Sequence, residues 1–247
     1  MARYQVVRSK IKKTKVLLTD DSISKYIPET VLFSEENIRR MLSNYSFVYI
    51  KPNRGSKGSR VAAIRKKLCY YDIYYKTQVI PTFVISGVIA FVNALTCGDP
   101  FLIQQGIEVL KVKQKPFDFR VMVQKPYSEW KVSNIIGRVA APGMIVTNLY
   151  LGAEVANYDE LMQRANIADN EARELRQKLY SIAERTALVL NNRYAGLREL
   201  GIDIGIDQNL NPWIFEVNTK PIIIKNNNDK VNEYHKIIMN NLKNHSI

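Results

Sequence analysis

Two cysteines and two histidines in 247 residues exclude much chemistry at the outset. Cys69 and Cys97 have no metal-like spacing, and two cysteines in so long a chain make no disulfide framework. A reducing, cytoplasmic setting is expected. His235 and His245 sit in a polar tail and receive no role, and no Ser/His/Asp or Cys/His arrangement appears. Long apolar runs are missing too. Val79 to Cys97 carries no charge, but only Phe83 to Leu95 is strongly apolar, too short to cross a bilayer and suited to a buried helix. No apolar h-region follows the basic first residues, so no signal peptide is expected. There is no Gly-x4-Gly-Lys-Ser/Thr loop, no Gly-x-Gly-x-x-Gly and no internal repeat. Acidic residues are scarce at the front. Residues 1–70 hold 16 Lys or Arg against 5 Asp or Glu, and so carry 11 of the formal +13. Such a surface attracts anions: nucleotide phosphates, acidic peptides, nucleic acid or anionic lipid.

What is present is an ordinary globular composition, 46% hydrophobic and 24% charged, with length enough for one or two domains. Most of the lysines among Lys10, Lys12, Lys13 and Lys15 read as a solvated helix face. Ser34 before Glu36 and Asn37 reads as an N-cap, with a helix to about Asn44 burying Ile38, Met41 and Leu42. Phe47 to Ile50 is a run of β-formers that delivers Lys51 to a strand end. Pro52, Asn53, Gly55 and Gly58 then open a loop flanked by Arg54, Lys57 and Arg60. A lysine at a strand end beside an amide-rich basic loop suits a polyphosphate. An ordinary hairpin loop with a solvated basic tip is the alternative.

Val61 to Arg65 and Tyr70 to Ile80 read as a strand pair, Phe83 to Leu95 as a helix and Phe101 to Gln105 as a strand. Phe117 to Gln124 and Val132 to Ala140 form an antiparallel pair, and Leu149 to Gly152 is loop. A long helix runs from about Asn170 to Leu197, stopped by Gly201. Ile202 to Ile206 and Trp213 to Val217 make a second pair, and Val231 to Leu242 a closing helix.

On that second pair, Glu216 and Asn218 are two apart and share a face, and Asp203 can point the same way. Two carboxylates and an amide oxygen are hard ligands for Mg²⁺, which would also offset the cost of burying them. The alternative is the solvent-facing polar side of an edge hairpin. Arg120 and Arg138 sit inside apolar strands, where a charge needs a partner. Each is free to serve an anion, or Arg120 pairs with Asp118 two residues away.

Taken together, Lys51, Gly55, Gly58, Asp203, Glu216-Val217-Asn218 and Pro221 resemble the ATP-grasp superfamily. The stretches Tyr26–Ser34, Val48–Ser56 and Ile103–Ile107 are similar to those of its YheC/YheD-like, spore-coat-associated group, with a likeness to ribosomal-protein glutamate ligases. The resemblance runs from roughly Lys10 to Pro221 and rests on the order and spacing of the motifs. It implies an α+β ATP-grasp fold. A basic segment with a helix spans 1–45, a lid subdomain 46–105 and a C-terminal subdomain with the metal site 106–247. It implies ATP and Mg²⁺ as cofactors, with Lys10 and Lys51 on phosphates and Gly55, Ser56 and Gly58 in the lid loop. Gln104, Gln105, Gly106, Ile107 and Glu108 would hold adenine by backbone groups, and Asp118 and Asn148 would lie near the nucleotide. Arg120 and Arg138 would be catalytic, and Asp203, Glu216 and Asn218 would hold the metal.

Superfamily chemistry then implies a carboxylate–amine ligase acting through an acylphosphate on a peptide or protein, with an acidic acceptor suited to the basic front. Only about 25 residues precede the Tyr26 stretch, so a partner chain would supply the missing N-terminal domain. The other readings are a catalytically weak, spore-associated ATP-binding protein and a nucleic-acid binder. The last lacks a recognition module.

Overall fold

A computed structural model describes residues 4–55, 60–222 and 229–243. The fold is α+β, built on two antiparallel sheets. Its front is helical: α1 (Lys10–Leu17), α2 (Asp21–Ser24), then strand β1 (Thr30–Leu32) and α3 (Glu35–Asn44). Ser34 caps α3 as expected, its side chain accepting from the Asn37 N–H, and Ile38, Met41 and Leu42 are buried. Strands β2 (Phe47–Pro52), β3 (Ala62–Lys66), β4 (Tyr71–Tyr75) and β5 (Gln78–Thr82) follow, then helix α4 (Ile85–Thr96) and β6 (Phe101–Gln105).

The first sheet has the order β1-β6-β2-β3-β4-β5. Alternation sorts its two faces. Val48, Ile50, Ile64, Ile73, Phe101 and Ile103 pack against α3 and α4, leaving Tyr49, Lys51 and Gln104 for the other face. The expected strand Tyr70–Ile80 is two strands, because the chain turns at Lys76 with φ 54°.

The second half opens on β7 (Lys111–Val112), β8 (Lys115–Gln124) and β9 (Lys131–Val139). A short 3-10 turn, Leu149–Leu151, precedes β10 (Glu154–Asn157) and α5 (Tyr158–Arg164). Helix α6 (Asp169–Arg193), β11 (Glu199–Ile206), β12 (Pro212–Asn218) and α7 (Asp229–Lys243) complete it. The path is β10-β9-β8-β11-β12, with β7 pairing β8. Leu175, Leu179, Ile182, Ala183 and Leu190 of α6 pack on Phe117, Phe119, Val121, Ile202 and Ile204.

Helix α6 ends at Arg193, short of the expected Leu197. Gly201 does not stop it. That glycine lies inside β11, opposite Met122 and Asn218. The closing helix is no polar tail either. Buried Glu199 accepts from Gln124 Nε2 at 2.8 Å and Tyr4 Oη at 3.2 Å, and His235 Nδ1 of α7 lies 2.8 Å from its Oε1. His245 lies outside the described residues. Among the described residues no helix is long and apolar enough to cross a membrane.

Candidate functional site

The inner face of the first sheet carries Lys51, 8% exposed. Its Nζ donates to Gln104 Oε1 at 2.6 Å and, across the gap between the sheets, to the Phe215 carbonyl at 2.9 Å. Gln104 is oriented by its own Nε2, which donates to Thr30 Oγ1 at 2.9 Å. Burial pushes the Lys51 ammonium down to about 8; Glu216 opposes that shift and Lys10 adds to it. Tyr49, two residues earlier, donates to the Ile145 carbonyl at 3.3 Å and makes a second bridge between the sheets.

The glycine loop starts from a fixed point. Asn53 Oδ1 accepts from Ser9 Oγ and the Ile11 N–H, both at 3.1 Å, and the Asn53 carbonyl accepts from the Lys10 N–H at 2.9 Å. The side chain of Lys10 continues inward, donating to the Gly55 carbonyl at 2.7 Å and lying 3.4 Å from Glu216 Oε1. Gly55 has φ 101°, the left-handed region that glycine tolerates. Ser56 and Gly58 lie outside the described residues. Arg60, expected to add charge to the loop, instead donates to the Leu95 and Thr96 carbonyls at the end of α4 and pairs with Asp99.

Helix α1 departs from the sequence reading in one respect. Lys12 and Lys15 are exposed, but Lys10 and Lys13 are buried. Lys13 Nζ donates to the Val7 carbonyl at 3.0 Å, and burial pushes this ammonium down to about 8.

The second sheet supplies the opposite wall. Arg120 of β8, Asp203 of β11 and Glu216 of β12 stand in one cross-strand row, with Asp118 opposite Arg138 in the next. Arg138 grips Asp118 through Nε at 2.8 Å and Nη2 at 2.5 Å, and its Nη2 also reaches Asp203 Oδ1 at 3.1 Å. Arg120 grips Asp203 by a fork, Nε to Oδ1 and Nη2 to Oδ2 at 3.0 Å. The pairing of Asp118 with Arg120 is therefore not formed. Thr147 Oγ1 donates to Asp118 Oδ2 at 2.6 Å. Burial raises the Asp203 carboxyl, but Arg120 and Arg138 outweigh it and hold it below the usual range. For Asp118, burial prevails over Arg138 and the shift is upward. A register shift beyond Asp203 leaves Phe215 without a cross-strand partner, and its carbonyl is the one Lys51 uses.

These groups line one cavity of about 550 Å³ between the sheets. Lys10, Lys51, Gly55, Gln104 and Ile107 form one side. Asp118, Arg120, Arg138 and Asn148 line the other, together with Asp203, Glu216 and Asn218. Among the described residues, three expected ones do not line it. Gln105 Oε1 accepts from the Glu29 N–H at 3.1 Å, Gly106 lies against the Phe47 ring, and Glu108 pairs with Arg65 at 2.5 Å. The N–H groups of Gln105 and Gly106 are also taken, by the Glu29 and Phe47 carbonyls. Asn148 has a local duty, its Oδ1 accepting from the Tyr150 N–H at 2.9 Å. Tyr49, Thr147, Phe215 and Lys220 also line the cavity and were missed. Tyr49 had a usable signal, since it stands two before Lys51 on one strand.

A family model described as YheC/D like ATP-grasp matches residues 3–245. The chain belongs to this ATP-grasp family. It is 29% identical over 220 residues to the endospore coat-associated protein YheD of Bacillus subtilis, covering 84% of this chain and 47% of YheD. It is 27% identical over 207 residues to YheC of the same organism, covering 81% and 56%. The chain thus spans about half the length of the curated relatives it matches. Among solved structures it is similar to D-cycloserine synthetase DcsG, with TM-score 0.61 and 12% identity, covering 95% of this chain and 70% of that one. It is similar to D-alanyl-alanine synthetase A from Vibrio cholerae, with TM-score 0.58 and 12% identity over 96% and 64%. The VanG D-Ala:D-Ser ligase from Enterococcus faecalis gives 0.57 and 13% over 94% and 61%. At these identities the likeness is one of fold, the ATP-grasp fold of such ligases.

An ATP-grasp site needs cations for phosphates and oxygens for a metal. The cavity has both. Lys10 and Lys51 are buried on one wall, and Glu216 and Asn218 stand two apart on the other. Asp203 fits less directly, because both its oxygens are held by guanidinium groups.

Proposed function

We propose that this chain is an ATP-dependent carboxylate–amine ligase acting on a peptide or protein. The observation that carries the reading is the convergence of two buried lysines and two buried or half-buried arginines on one cavity that also holds Glu216 and Asn218. Its volume of about 550 Å³ is within the range for small-molecule sites. Lys10 and Lys51 hold the nucleotide phosphates as point charges, exchanging the Gly55 and Phe215 carbonyls for phosphate oxygens. Adenine takes its backbone hydrogen bonds from the hinge beyond Gly106, since the Gln105 and Gly106 N–H groups are already taken. Glu216 and Asn218, with Asp203 once a guanidinium yields one of its oxygens, would hold Mg²⁺, which would neutralise phosphate charge.

In the reaction a substrate carboxylate oxygen attacks the γ-phosphorus, ADP leaves, and an amine then attacks the acylphosphate carbon and expels phosphate. Arg120 and Arg138 face the charge that builds on the transferred group. Exposed Lys12 and Lys15 on α1 suit an acidic acceptor.

The second reading is a catalytically weak, spore-associated ATP-binding protein. It is favoured by the mutual satisfaction of Arg120, Arg138, Asp118 and Asp203, and by the coat association in the names of YheD and YheC. ADP release, measured with and without a panel of amino acids and acidic peptides, separates the two. Acceptor-dependent ADP release supports the ligase. Tight Mg-ATP binding without turnover on any acceptor supports the second reading, and absence of nucleotide binding overturns both.

A further inference from the structure

Gly201 lies inside β11, a strand paired on both sides, yet nothing in its own backbone asks for glycine. Its φ is not in the left-handed region. Its register is unbroken from Gly201 to Asp203 against both β8 and β12, so it marks no bulge. Glycine weakens a strand interior, and the reason left for it is a close approach by another group.

That group is the Arg120 side chain. Gly201 stands two residues before Asp203 and shares its face. A Cβ added there would fall 3.1 Å from Arg120 Cδ, 3.2 Å from Arg120 Nη1 and 2.9 Å from Pro221 Cβ. The stem of Arg120 therefore lies on the bare backbone of β11 as it reaches across to Asp203. Pro221, in the segment that lines the cavity after Asn218, closes over the same spot.

We infer that Gly201 is a positioning residue: its missing side chain seats Arg120 on β11, with the guanidinium fork on Asp203. A fork needs both donors in the carboxylate plane, and a methyl 3.1 Å from Cδ and 3.2 Å from Nη1 pushes the stem off its seat by about a few tenths of an ångström, which loosens both bonds. Arg138 still reaches Asp203, and the sheet keeps its ladder. The seat is a property of the fold; only its consequence for turnover rests on the ligase reading.

The test reads arginine Nε–H signals by NMR in nucleotide-free protein, with the Arg120 signal assigned by its loss in Arg120→Lys. In the parent this proton exchanges slowly with solvent. In Gly201→Ala it exchanges about tenfold faster or more, as expected for a loosened buried contact, while the Arg138 signal and the amide spectrum are kept. In Gly201→Ala with Pro221→Gly it stays fast. An unchanged Arg120 signal in Gly201→Ala overturns the inference, as does recovery of slow exchange in the double variant, which would put the clash on Pro221 alone.

If Gly201→Ala does not fold, adding Arg120→Ala together with Asp203→Asn removes the stem without leaving an unpaired carboxylate and restores folding, whereas adding Pro221→Gly alone does not; the reverse pattern overturns the inference. For a folded variant, kcat falls by about tenfold while the KM for ATP stays within about threefold, the split expected of an interaction made in the transition state. The NMR readings need no nucleotide, so a parent that never turns over Mg-ATP sinks the ligase reading alone.

Discussion

Replacing Lys51 with methionine separates its cost to the fold from its value to the nucleotide. In the free protein the ammonium is shifted from 10.5 to about 8, mainly by burial. At about 1.4 kcal/mol per pH unit, its charged form is disfavoured by about 3 kcal/mol. Methionine keeps the stem and removes that cost. It also leaves Gln104 Oε1 and the Phe215 carbonyl without this donor, at about 1–3 kcal/mol each. The two effects oppose, so the net change lies between a gain of about 1 and a loss of about 3 kcal/mol, at about 2–4 °C in Tm per kcal/mol for a chain of this size.

The complex has no such cancellation. Losing one charge-assisted phosphate contact costs about 1.5–3 kcal/mol, which is about ten- to a hundredfold in Kd. The pH dependence provides a second reading. Because the folded-state value is below the unfolded one, the unfolded chain binds more protons between about pH 8 and 10.5, and Lys51 makes stability rise with pH across that window. Its affinity for phosphate moves the other way, weakening as the ammonium is lost above about 8. Calorimetric titration with Mg-ATP at pH 7 and 9, beside denaturant melts at the same pH values, measures both. A Kd within twofold of the parent at pH 7, with a folded variant, would refute the phosphate role.

Three further outcomes are expected. Glu216→Gln weakens Mg²⁺-dependent nucleotide binding, whereas Asn218→Asp keeps an oxygen ligand and lowers turnover; equal Mg-ATP affinity in Glu216→Gln and parent would remove the metal assignment. Arg138→Met leaves Asp118 buried without its main partner and destabilises the protein by about 3–5 kcal/mol in denaturant melts, and a loss under about 1 kcal/mol would contradict the buried network. Reversing the exposed Lys12 and Lys15 to Glu raises the acceptor KM at low salt with little change in ATP affinity. The effect shrinks at high salt, because the Debye length is about 8 Å at physiological ionic strength; no effect at low salt would turn attention to another use of the basic front.

The elements with clear periodicity or capping were legible in the sequence: α3 behind Ser34, β2 with Lys51 one residue before its end, and the pair β11–β12 that carries Asp203, Glu216 and Asn218. Short elements were not. The two residues of β7 and the four of β10 are too few for a period to show, and α5 hides behind Asn157, a cap with only seven helical residues after it. Charge partners were misread for a physical reason. Asp118 and Arg120 are two apart along a strand, about 6.6 Å, while cross-strand neighbours lie at about 4.5–5.5 Å. Each carboxylate therefore took the guanidinium across the ladder, Arg138 for Asp118 and Arg120 for Asp203. The burial of Lys13 was equally hidden, since spacing puts it on one face with Lys10 without saying that the face turns inward. Gly201 carried a signal that reads two ways, as a helix stop or as a close approach, and only the packing decides.

The Glu199 carboxylate joins parts of the chain that sequence order keeps far apart. Tyr4 reaches it from the front, Gln124 from β8 and His235 from α7. Lifting α7 away strips a fully buried anion of one partner and exposes Val231 and Ile238 to water. Detaching the front costs it another, together with the Val7 N–H bond to Thr219 Oγ1 at 2.9 Å. Neither segment is free to fray on its own terms. Hydrogen exchange should show the amide of Val7 and those of α7 opening as one cooperative unit with a single free energy, where independent loose ends would each exchange at their own, lower cost.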